Sequence, residues 1–91
     1  MYSADEFEQD LDYILSTVKS VLLEKNRKYG DSALSPINVF SKNTNIEQIK
    51  VRIDDKISRI RNQQEDEDED AAFDLLGYLI LLRIAQHRGG E

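Results

Sequence analysis

The sequence predicts an all-α fold: a three-helix antiparallel unit completed into a helical bundle by homo-oligomerisation. Three observations carry that expectation. Apolar residues recur at spacings of three and four in three separate stretches, which is the pattern of helices with a buried side. The single proline, Pro36, falls between the first two stretches and interrupts neither. The third stretch is apolar on nearly every side, and two neighbouring helices cannot surround it. A second subunit is therefore expected to, making the domain an obligate homo-oligomer. With 91 residues, 40 % of them hydrophobic, the chain is read as one domain spanning 1–91, with enough apolar surface for a core.

The first helix is placed at about residues 3–29. Ser3-Ala4-Asp5-Glu6 reads as a capping box, with acids suited to a helix start. Phe7, Leu11, Ile14, Leu15, Val18 and Leu22 then follow at helical spacing, and Gly30 supplies a stop. Residues 30–44 (GDSALSPINVFSKNT) read as a loop long for so small a domain, and such loops are often functional. Its apolar members Leu34, Ile37, Val39 and Phe40 are expected to fold back on the helices.

A second capping box, Thr44-Asn45-Ile46-Glu47, opens a helix at about 45–62. Ile46, Ile49, Ile53, Ile57 and Ile60 mark its inner face, while Arg52, Asp55, Lys56 and Arg59 form a mixed-charge stripe beside it, with Asp54 pointing elsewhere. Residues 62–66 read as a turn between antiparallel helices. The third helix, about 67–87, starts in a run of carboxylates and ends near Arg83, His87 and Arg88, which suits its dipole. Glu67, Asp70, Asp74 and Tyr78 are spaced by three and four, so they form one stripe running from solvent into the core. An ionised group among apolar neighbours is costly unless paired. That stripe therefore calls for a counter-charge, either a divalent metal or a basic side chain.

Composition excludes several classes. A net charge of −6 argues against nucleic acid as a partner, because a binder needs a basic footprint to displace counterions. With no cysteine there are no disulfides or thiolate metal sites, which fits a reducing, cytoplasmic setting. The lone His87 argues against a histidine zinc site. Asp5, Glu6, Glu8, Asp10 and Asp12 are the opposite of a signal peptide's basic start. The longest apolar run, residues 71–85, would span roughly 22 Å against a hydrocarbon core of roughly 30 Å, so no membrane is expected. No phosphate-binding glycine loop and no Ser-His-Asp or Cys-His nucleophile arrangement is present.

Three pieces taken together point further. They are Glu24-Lys25-Asn26-Arg27-Lys28-Tyr29-Gly30-Asp31, then Val51-Arg52-Ile53-Asp54-Asp55-Lys56-Ile57-Ser58-Arg59-Ile60, then Asp70-Ala71-Ala72-Phe73-Asp74-Leu75-Leu76-Gly77-Tyr78. In order and type they resemble a family of small phage and prophage proteins, one of the nucleotide-modification-associated domains. That family's pattern is a KNxxYG segment, an RxxDKxxR helix and a DxxxDLxxY helix, and the likeness covers about residues 19–82. The layout is also similar to the MazG-like all-α nucleoside triphosphate pyrophosphohydrolases, in which ExxE and ExxD motifs on successive helices hold magnesium against a triphosphate.

The resemblance implies a magnesium-dependent enzyme in which Asp55 and Asp74 act catalytically, with Asp55, Glu67, Asp70 and Asp74 around the ion. Lys28, Arg52, Lys56 and Arg59 would take phosphate through charge-assisted hydrogen bonds, and Tyr29 or Tyr78 a base. The first acidic motif lacks a clean match, since Ser58 and Arg59 stand where another acid is wanted. That departure favours a second class, a binder that sequesters a nucleotide or cyclic nucleotide against host defence. A third class is an inhibitor presenting residues 65–70 as an acidic surface to a host protein. Against all three stands simple pairing of Asp74 with Arg59 or Arg52, and of Asp70 with Lys56, as salt bridges that set helix register.

Overall fold

The structure, a computed structural model, describes residues 1–30, 34, 44–63 and 70–89. Among them lie three α-helices and no strand: α1 (Ala4–Tyr29), α2 (Asn45–Arg61) and α3 (Ala71–His87). The all-helical expectation therefore holds for the described residues. The chain divides into two compact units, Met1–Gly30 and Asp31–Glu91. No helix is long and apolar enough to cross a membrane among the described residues.

The first unit is α1. Its start is closed in both directions: the Glu6 N–H donates to Ser3 Oγ at 3.1 Å, and the Ser3 N–H donates to Glu6 Oε1 at 3.4 Å. This is the expected capping box, and it satisfies two of the donors that a helix start leaves unpaired. Just before it, the Tyr2 hydroxyl donates to Asp10 Oδ2, and the Tyr2 ring meets Phe7 edge-on with centroids 6.4 Å apart. That hydrogen bond to Asp10, with a small desolvation contribution, holds the Tyr2 phenol above its ordinary value. At the other end Gly30 takes φ 68°, a backbone state that glycine enters without penalty. A Cβ there would meet nothing within 4 Å, so the backbone and not crowding calls for the glycine.

The second unit is built on α2 and α3. Thr44 caps α2, its hydroxyl accepting the Glu47 N–H at 3.2 Å. The isoleucine stripe is inward-facing only in its first part, since Ile57 and Ile60 stay 48 % and 40 % exposed. Ile49 and Ile53 are buried with Ala85 of α3, and Ile46, Leu75, Tyr78, Leu81 and Leu82 pack around them. Early α2 meets late α3 here, while Lys56, further along α2, reaches back to Asp74. The two helices are therefore antiparallel. Leu34 packs on the same cluster, and its carbonyl accepts from Asn45 Nδ2 at 3.0 Å, so this loop residue folds back as expected. Ile37, Val39 and Phe40 lie outside the described residues.

The start of α3 also differs from expectation. The third helix begins at Ala71, and not at about 67, because Asp70 is its N-cap. The Asp70 backbone is extended (φ −115°, ψ 90°), and its carboxylate accepts the Phe73 N–H at 2.9 Å. A side chain that caps a helix start stands outside the helix it caps. As expected of a helix apolar on nearly every side, α3 is only partly covered, Leu76, Leu79 and Ile84 staying 37–46 % exposed.

After α2 the chain turns at Gln63, the one non-glycine residue with positive φ (54°) among the described residues. Its N–H donates to the Ile60 carbonyl at 3.3 Å. A β-carbon in that left-handed region costs energy that glycine avoids. Gln63→Gly is expected to raise stability by about 0.5–1 kcal/mol in urea denaturation, the reverse of the usual effect of introducing glycine.

Candidate functional site

The charged residues that the sequence nominates are set out by helical geometry. On α2, Lys56 flanks the isoleucine face and so points along the seam with α3. Asp55, one residue earlier, is turned about 100° away toward solvent. On α3, Asp74 lies one turn before Tyr78, on the face that meets α2. The consequence is one interhelical ion pair: Lys56 Nζ lies 3.3 Å from Asp74 Oδ2. Their side chains are only 17 % and 26 % exposed, so the pair is partly withdrawn from water.

Neither Arg59 nor Arg52 is the partner expected for Asp74. Lys56 had been assigned to Asp70, and it serves Asp74 instead. The reason is register. With Asp70 bound to the first turn of α3, Asp74 is the first α3 carboxylate facing the seam. Arg59 turns to its own helix, Nε lying 3.1 Å from Asp55 Oδ2 at i,i+4 spacing. That exposed contact is worth about 0.3–0.5 kcal/mol. Arg52 and Asp54 are exposed on α2.

The proposed metal ligands are thus dispersed. Asp55 is on the outer side of α2 with Arg59, Asp70 caps α3, and Asp74 faces Lys56. Glu67 lies outside the described residues, as does most of the acidic run 65–70. Among the described residues no group of three or more His, Cys, Asp or Glu side chains converges as a metal site would require.

The nominated aromatic residues divide between the two units. Tyr78 is half-buried against Ile49, Ile53 and Ala85, where its ring is part of the core. Tyr29, at the end of α1, is exposed, and the Lys28 ammonium lies 5.3 Å from its ring centroid, in cation–π range.

Sequence reasoning missed the capping role of Asp70. The signal was present: a carboxylate three residues before Phe73, at the junction of a polar run and an apolar one, is an N-cap pattern. Comparison with protein families, with curated proteins and with solved structures finds no match.

What the described residues offer chemically is a part-buried interhelical salt bridge, Lys56 with Asp74, beside an apolar core. Removing one partner leaves a half-withdrawn charge, whereas replacing both with apolar groups removes the desolvation cost as well. Asp74→Ala is expected to cost about 1–2 kcal/mol, discounted for partial exposure. Lys56→Met with Asp74→Leu together should recover most of that loss in the same denaturation assay. If the single and double variants are equally destabilised, the pair does not hold the seam.

Proposed function

We propose that the α2–α3 unit binds a phosphorylated nucleotide, with Lys56 as the central cation and Arg52 and Arg59 as neighbours along α2. The observation carrying this reading is the Lys56–Asp74 pair, an ammonium 3.3 Å from a carboxylate with the two side chains only 17 % and 26 % exposed. A phosphate can take over the ammonium by a charge-assisted hydrogen bond of the same kind, and binding then has to offset the loss of Asp74's contact with Lys56. The electrostatics of α2 support it. The helix bears five basic and three acidic side chains within a chain of net charge −6. The likeness of residues 25–30, 52–59 and 70–78 to the nucleotide-modification-associated domains supplies the nucleotide. A phage-type protein with such a ligand would work in the cytoplasm, where it would hold a nucleotide signal away from host defence.

Magnesium-dependent release of pyrophosphate is the second reading. It rests on Asp74, which keeps 26 % of its side-chain surface accessible, and on the few protein carboxylates that a magnesium–nucleotide complex needs. Self-association belongs to the same proposal. The exposed Leu76, Leu79 and Ile84 of α3 favour a second copy over a free monomer.

Titration with a panel of nucleoside triphosphates and cyclic nucleotides, with and without magnesium, separates these readings. Lys56→Ala is expected to weaken binding about tenfold or more, the loss of one charge-assisted contact. Asp74→Asn should leave binding intact or tighten it in a simple binder, because the lysine is released. In the magnesium-dependent enzyme the same change should abolish both binding and pyrophosphate release. Wild-type protein that takes up none of these ligands would refute both.

A further inference from the structure

The N-terminal half of α1 leaves its apolar stripe uncovered. Phe7, Leu11, Ile14 and Leu15 are 43–56 % exposed, and their spacing places them within an arc of about 100°. Glu8 and Asp10 lie on the two flanks of that arc, with Asp12 beyond Glu8. The chain has no lysine or arginine before Lys19, which stands one turn beyond Leu15, so the charged side chains beside Phe7, Leu11 and Ile14 are acids. Two such patches cannot cover one another, because a two-fold contact would set carboxylates against carboxylates. Whatever covers this patch has to be apolar and free of acids, with a cation available.

The outward side of α3 has that character. Its inner face, through Tyr78, Leu82 and Ala85, meets α2. Leu76 and Leu79 lie on the opposite side, 37 % and 46 % exposed, and Arg83 continues the same line at spacings of seven and four. The only carboxylate within α3, Asp74, is turned inward to Lys56, so among the described residues this outer side of α3 presents leucines and a guanidinium with no acid among them. We infer that a second copy of this chain is the occupant: the acid-rimmed start of α1 in one copy packs on the outer side of α3 in the other, and the reverse. A two-fold dimer makes any such contact twice, because each copy lends both surfaces. The inference rests on the self-association part of the reading above and supplies the surfaces it uses.

Sedimentation velocity of the full chain over a dilution series tests this, with helix content followed by circular dichroism. The wild type should sediment as a dimer that dissociates on dilution. Leu11→Ser with Leu15→Ser, both at exposed positions, should raise the dimer dissociation constant more than about tenfold while helix content stays unchanged. Glu8→Lys with Asp12→Lys should weaken the dimer about threefold or more, as should Arg83→Glu, and combining them should restore it. A dimer indifferent to all of these changes would overturn the assigned surfaces and leave self-association standing. A monomer at every concentration would overturn both, and neither result bears on nucleotide titration.

Discussion

The contact between Lys56 and Asp74 is the point where packing and chemistry meet in this protein. The buried centre of the α2–α3 seam is aliphatic and aromatic, and apolar packing fixes that two helices pack without fixing how far one slides along the other. A single ion pair at one height selects a register, because any slip of a turn leaves both charges without their partner in a poorly hydrated place. Under the proposed binding of a phosphorylated ligand, packing and recognition would draw on the same lysine.

The helices were legible because their signals are local. Ser3 with Glu6, and Thr44 with Glu47, announce two starts, and both hydroxyls accept the expected backbone N–H. The isoleucines at 49 and 53 announce the inner face of α2 by spacing alone, and both are buried. The start of α3 was harder, since Asp70 satisfies two descriptions at once. It extends the stripe of Asp74 and Tyr78 at helical spacing, and it is also a good cap. Capping prevailed because a backbone N–H is available at 2.9 Å without further ordering, whereas continuing the helix would stack more carboxylates into its first turn. The choice of Lys56 over two arginines for Asp74 was not legible. It depends on the rotation of one helix against the other, which three and four spacings on a single helix do not encode.

The described core is thin. Ile49, Ile53 and Ala85 are the buried centre of the α2–α3 unit, and large apolar side chains remain exposed on all three helices. Small domains bury a smaller share of their surface than large ones and gain correspondingly little from it. In such a chain, partners and ligands contribute a larger share of total stability, by mass action. The acid-rimmed start of α1 and the acid-free outer side of α3 are the surfaces through which a second copy would supply that contribution.

The account's central claim is that a phosphorylated ligand enters by exchanging with Asp74 for Lys56. Side-chain carbon NMR reads this directly, by following lysine Cε and aspartate Cγ resonances while a nucleoside triphosphate is added. The account requires Lys56 Cε and Asp74 Cγ to shift together along one saturating curve. Saturable binding that moves other resonances and leaves those two in place would contradict it.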